Sequence, residues 1–250
     1  MPSTNNLNNK VALITGAARR IGAAITTSLH QSGADVAIHY RGSEDEAAAL
    51  AEKLNKQRPG SAAIFESDLI DTSSLAGLVD AVLGWRERLD ILVNNASKFY
   101  ATPIGEISEE HWDDLVGSNL KAPLFLSQAA APALRKSGGS IINIVDIHAQ
   151  RPLGSHAVYG AAKAGLAMLT RSLAKDLAPE VRVNGVSPGA ILWPEGGLDE
   201  QIKDTILEQI PLKRAGDPAD IAACVLYLVR DAAYVTGEII AVDGGRSIGW

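Results

Sequence analysis

The chain has 250 residues, a formal net charge of −6, 46% hydrophobic residues and 21% charged ones. That length is enough to bury a full core in one domain, and the composition excludes a disordered chain. The acidic balance gives no overall basic field for nucleic acid or an anionic membrane, which leaves a soluble enzyme or binding protein.

The N-terminal residues 1–9 are polar and lack a basic stretch followed by an apolar core, so no signal peptide is expected. No uninterrupted apolar run reaches membrane-spanning length. The one cysteine, Cys224, falls in the apolar stretch 221–226. It reads as a buried, inert thiol in a reducing compartment, so a cytoplasmic location is expected.

Short apolar runs then alternate with amphipathic stretches. Residues 10–15 read as a buried strand, and 20–32 carry helical periodicity that stops at Gly33. A second strand is expected over 35–40 and a second helix over 44–56. The third strand follows at 62–65, the third helix at 73–87 and the fourth strand at 89–94. The fifth strand is read at 141–145, a helix opens at Tyr159 and continues to Leu177, the sixth strand covers 181–186, and a last one 239–242. Continuous apolar strands joined by helices make a doubly wound parallel sheet of the Rossmann type, α/β in class. With no repeat or linker, 1–250 is read as a single domain. Residues 190–198, containing Trp193, Pro194, Glu195, Gly196 and Gly197, read as the mobile loop.

The first strand runs into Thr15-Gly16-Ala17-Ala18-Arg19-Arg20-Ile21-Gly22. A turn here, opening a helix, can present backbone N–H groups to a pyrophosphate, although the glycine spacing is not that of the general dinucleotide fingerprint. A site built for NAD would place a carboxylate at the end of the second strand for the ribose 2′-hydroxyl. This strand ends instead in His39-Tyr40-Arg41. Arg41 and Arg19 are placed to bind a 2′-phosphate, so NADPH is the expected cofactor.

Tyr159 and Lys163 stand four apart on one helix face. An adjacent ammonium favours phenolate, so the tyrosine pKa is expected to fall. Such a pair by itself is common on helices. Joined in order with Thr15-Gly16…Gly22, Asn94-Asn95-Ala96, Asn119 and Pro188-Gly189, it resembles the short-chain dehydrogenase/reductase family over almost the whole length.

The resemblance implies Tyr159 as proton donor, Lys163 on the nicotinamide ribose and Asn119 sustaining a water relay. It implies a cofactor channel of Gly16, Arg19, Arg20, Ile21, Gly22, His39, Tyr40, Arg41, Asp68, Leu69, Asn95, Ala96, Ser97, Tyr159, Lys163, Pro188 and Gly189, with Asp68 and Leu69 at the adenine. Two departures narrow it. Arg20 replaces the usual middle glycine of the turn, and Asp146 stands where the usual serine would, thirteen residues before the tyrosine. With Ser97 and Phe99 after the fourth strand, the chain resembles the pteridine reductases. That implies a pterin or folate lying flat on Phe99, polar contacts from Arg20 and Ser97, and protonation by Tyr159 aided by Asp146. It also implies a homotetramer, for which the run 166–169 offers apolar surface, and in which Arg246 or Trp250 could reach a neighbour's site. No metal is expected, because His111, His148 and His156 show no ligand spacing. A ketone reductase acting on an acyl-carrier thioester or a sugar-like ketone, and a non-enzymatic NADP(H) sensor, are the alternative readings. The intact Asn119, Tyr159 and Lys163 argue against the sensor.

Overall fold

A computed structural model describes residues 6–193, 197 and 199–248. Seven strands form one sheet: β1 (Val11–Ile14), β2 (Asp35–Tyr40), β3 (Ala62–Glu66), β4 (Ile91–Asn94), β5 (Ser140–Ile144), β6 (Arg182–Pro188) and β7 (Ile239–Val242). Their order is β3-β2-β1-β4-β5-β6-β7, and every neighbouring pair is parallel. The order reverses between β1 and β4, so a crevice opens outside the carboxyl ends of those two strands.

β2 and β7 have the bounds read from the sequence, and the other strands differ by one or two residues at an edge. β6 runs on to Pro188 because Ser187 and Pro188 register with Ala241 and Val242 of β7. β4 starts late because Asp90 turns its buried carboxylate away to accept from Lys10, Arg88 and the Val11 N–H.

Helices cover both faces: α1 (Arg20–Gln31), α2 (Glu44–Gln57), α3 (Leu75–Arg86), α4 (Glu109–Val116), α5 (Ala122–Ser137), α6 (Ala157–Leu177), α7 (Glu200–Gln209) and α8 (Pro218–Arg230). α4, α5, α7 and α8 were not foreseen. α8 starts at an Asp217 capping box with Pro218 at its first position, both readable signals.

Alternate residues of each strand feed opposite cores. Ala12 and Ile14 pack with Ile25, Leu29, Val225 and Leu228 of α1 and α8. Val11 and Leu13 pack with Leu78, Leu126 and Leu134 of α3 and α5. In α6, Leu166 and Ala167 belong to the core and only Met168 of the run 166–169 is exposed. Cys224 is half-buried on α8, where burial pushes its thiol up to about 11. No described helix is long and apolar enough to cross a membrane.

Candidate active site

The turn after β1 is closed by contacts that admit no side chain. A Cβ on Gly22 would lie 2.1 Å from the Gly16 carbonyl oxygen. Gly16 itself is left-handed (φ +59°) and lies against Ala96. Arg20 is left-handed as well (φ +53°), so the backbone keeps a glycine conformation although an arginine occupies it. That conformation costs an L-residue roughly 1–2 kcal/mol. The Arg20 guanidinium donates to the Trp193 carbonyl at 3.3 Å and so links the turn to the segment after β6.

His39 is a strut under this turn. Its Nδ1 accepts from the Gly16 N–H at 3.2 Å, and its Nε2 contacts the Ser67 carbonyl at 3.0 Å. Burial pushes its pKa down to about 4, so the ring is neutral, with the proton on Nε2. The Ala17 N–H is also taken, by the His39 carbonyl. Two of the turn's N–H groups therefore serve the fold and are not free for a phosphate.

Asn95 closes the other side. Its amide donates to the Thr15 and Gly16 carbonyls at 2.9 and 3.0 Å, and the Thr15 hydroxyl accepts from the Asn95 and Ala96 N–H groups. Between these walls lies a cavity of about 670 Å³. Gly16, Arg19, Arg20, Ile21, Gly22, His39, Tyr40, Arg41, Asp68, Leu69, Asn95, Ala96 and Ser97 all line it, as does Lys98. Pro188 and Gly189 are not among its lining residues. A Cβ on Gly189 would meet Asp243 at 2.6 Å, so that glycine is required by packing.

The tip of β2 has no carboxylate of its own, but the fold supplies one from elsewhere. Arg41 pairs with Asp68 at 3.4 Å, beyond β3, and Arg19 pairs with Glu46 of α2 at 3.6 Å. All four side chains are about half exposed, so these pairs hold weakly and can exchange for a stronger anion.

Tyr159, Lys163 and Asp146 are not lining residues of this cavity either; Tyr159 approaches it through Ser97, which lines it. Asp146, extended after β5, accepts from the His148 N–H at 2.8 Å and from the Tyr159 hydroxyl at 2.7 Å. Tyr159 is 3% and Lys163 2% exposed, although both are polar. The Lys163 ammonium donates to the Ile144 carbonyl at 3.0 Å and stands 5.7 Å from the Tyr159 ring centroid.

Here one expectation is reversed. The Tyr159 phenol is pushed well above its usual value, by burial first and then by the Asp146 carboxylate, with Ser97 pulling weakly the other way. The neighbouring ammonium does not produce a phenolate. Burial lowers Lys163 to about 8, against the opposing pull of Asp146.

Phe99 is 52% exposed and meets the Tyr159 ring edge-on at 4.8 Å. His156, for which the sequence suggested no role, stacks on Phe99 at 4.7 Å. Its position just before α6 was the only available signal. Asn119 lies in a π-turn (Gly117–Lys121), fully buried, and its side chain joins Ser97, Lys98 and Leu115. Arg246 is buried within its own chain, where it feels the charges of Asp146 and Asp243. Pro194, Glu195, Gly196, Leu198 and Trp250 lie outside the described residues.

Comparison with known proteins bears on this arrangement. Residues 16–247 match the family described as Enoyl-(Acyl carrier protein) reductase. The chain is 38% identical to a 3-oxoacyl-(acyl-carrier-protein) reductase of Staphylococcus epidermidis, over 95% of this chain and 98% of that one. It is 37% identical to pteridine reductase 1 of Leishmania tarentolae, over 95% and 96% respectively. A crystal structure from Sinorhizobium meliloti, described as a short-chain alcohol dehydrogenase, superposes with a TM-score of 0.93 at 33% identity, over 99% of this chain and all of that one.

Proposed function

The chain belongs to the short-chain dehydrogenase/reductase family of oxidoreductases, and on that footing we propose that it reduces a pterin or folate with NADPH. The observation that carries this reading is the 2.7 Å bond between Tyr159 and Asp146.

The residues around the large cavity suit a dinucleotide. Two glycines bring the backbone walls close, and Arg19 and Arg41 offer cations at the end away from Tyr159. Bound there, a reduced nicotinamide supplies a hydride. Lys163, held by the Ile144 carbonyl, fits the role of binding the nicotinamide ribose, and Asn119 that of sustaining a water relay.

Tyr159 keeps its proton at neutral pH because burial and the Asp146 carboxylate both oppose the phenolate. The pair therefore stores a proton beside the cleft, along a bond whose far end is fixed by the His148 N–H. A basic ring nitrogen suits a tyrosine backed by a carboxylate, whereas a ketone oxygen is better polarised by a second hydroxyl such as the serine that Asp146 replaces. Phe99 offers an exposed aromatic surface to a flat bicyclic ring, backed by His156, with Ser97 and Arg20 for its polar edge.

Reduction of a 3-oxoacyl thioester is the second reading, favoured by the 38% identity to the staphylococcal enzyme. Initial rates with NADPH and with NADH decide between them, using dihydrobiopterin, dihydrofolate, oxidised biopterin, a quinonoid dihydropterin and an acetoacetyl thioester. Turnover of at least one pterin or folate well above the thioester is expected. NADPH should be favoured about ten- to a hundredfold in kcat/KM, the worth of one charge-assisted phosphate contact. Turnover of the thioester alone removes the pterin reading, and equal rates with both cofactors remove the NADPH reading.

A further inference from the structure

Residues 97–100 form the rim between the tip of β4 and α4. Their exposure alternates, with Ser97 and Phe99 open and Lys98 and Tyr100 partly buried, as in an extended chain with one face covered. Both covered side chains end on one carboxylate. The Lys98 ammonium donates to Asp114 Oδ1, and the Tyr100 hydroxyl donates to Asp114 Oδ2 at 3.0 Å. The Lys98 carbonyl is held by the Asn119 amide at 2.9 Å, and Ser97 donates to Asn119 Oδ1 at 2.6 Å. The Tyr100 ring packs against the buried cluster of Leu115, Val158 and Tyr159. Three of the four side chains are thus tied by hydrogen bonds to α4 or the π-turn. Phe99 is the fourth, and it meets Tyr159 and His156.

We propose that Asp114 is a positioning residue for the substrate: by holding Lys98 and Tyr100 on its two oxygens, it keeps the rim in the register that turns Phe99 toward Tyr159. A slip of one residue would exchange the two faces and turn Phe99 toward α4, away from Tyr159. The helix carrying Asp114 does not need that carboxylate to form, because α4 starts at a Ser108–His111 capping box. The inference rests on Phe99 being the surface on which a flat substrate lies.

The test uses the full chain with 4-fluorophenylalanine at its three phenylalanines, Phe65, Phe99 and Phe125. Loss of one fluorine resonance in Phe99→Leu assigns the Phe99 signal. In Asp114→Ala that signal should shift or broaden while the other two stay in place. Asp114→Asn, whose amide oxygen still accepts from Tyr100, should fall between, and it carries the test if the alanine variant does not fold.

In kinetics, Asp114→Ala should raise KM for dihydrobiopterin about tenfold, the upper end of what one lost aromatic stack is worth. kcat and the fluorescence titration of NADPH should change far less. In a Phe99→Leu background the same substitution should add nothing to KM. An unmoved Phe99 resonance overturns the proposal, as does an undiminished KM effect without the phenyl ring. The fluorine signal needs no substrate. A protein that turns over only the thioester would therefore sink the pterin reading, while the resonance still decides what Asp114 does.

Discussion

At the turn after β1 the backbone bears the strain and the side chains are solvated. Arg20 is left-handed where glycine would be relaxed, and Arg19 and Arg41 are about half exposed in loose pairs. At the start of α6 the reverse holds. Tyr159 and Lys163 sit in the first turns of an ordinary helix, but their side chains are almost fully buried and their proton affinities are displaced. Binding a dinucleotide needs close backbone approach and exchangeable cations. Moving a proton needs a dry site in which each charge is felt by its neighbour.

The largest expected effect follows from removing the carboxylate of the Tyr159–Asp146 pair. Asp146→Ala should fold and bind NADPH, yet lose about 10²–10⁴ in kcat on a pterin, the usual worth of a positioned acid–base group. Asp146→Ser should retain weak ketone reduction while losing pterin turnover. Near wild-type kcat in Asp146→Ala on every pterin would make the carboxylate a bystander, and the contrast between the two turns would lose its chemical half.

A smaller effect should appear against pH. Lys163 holds its proton below about 8 and loses it above. If the ammonium is needed, kcat/KM should bend down near pH 8 and then fall about tenfold per unit, as for one ionisation. The Asp146 charge favours the ammonium, so in Asp146→Ser the bend should move to lower pH. Stability carries the opposite sign. Between about 8 and the ordinary lysine value of 10.5, the unfolded chain binds more protons, so this group adds stability as pH rises. Thermal melts should show that contribution in the wild type and lose it in Lys163→Met; identical pH dependence in the two would place the ionisation elsewhere.

The smallest effect sharpens the backbone side of the comparison. Arg20→Gly should relieve the left-handed strain and, after the added entropy of the unfolded glycine, stabilise the fold by roughly 0.5–1 kcal/mol. Activity should move the other way, because the link to the Trp193 carbonyl goes with the guanidinium. A lower melting temperature in Arg20→Gly would mean that the turn is not strained in solution.

The strands were legible in the sequence because parallel strands buried on both faces are continuous apolar runs: β2 and β7 match the spans read for them throughout, and the other five lie within two residues at each end. α4 escaped because it is short, α7 because it buries nothing and α5 because Pro132 interrupts it, whereas α8, with its capping box and with Ile221, Ala222, Val225 and Leu228 at helical spacing, was readable and was missed. The residues lining the large cavity were legible too, since they fall where the carboxyl ends of consecutive strands must converge.

What the sequence determined by itself was the run of strands along the chain and their doubly wound parallel class, the close-packed glycine turn, and the placement of a tyrosine and a lysine one helical turn apart. These depend on neighbours along the chain or on strict periodicity. Only the tertiary structure decided that Tyr159 is held as a phenol, that Asp68 and Glu46 stand against the two arginines, that His39 is a neutral strut, and that Asp114 grips the rim bearing Phe99. Each of these depends on burial or on a partner brought in from a different element. A side chain's proton affinity and direction follow from the dielectric and charges around it, and those do not exist until the sheet has closed.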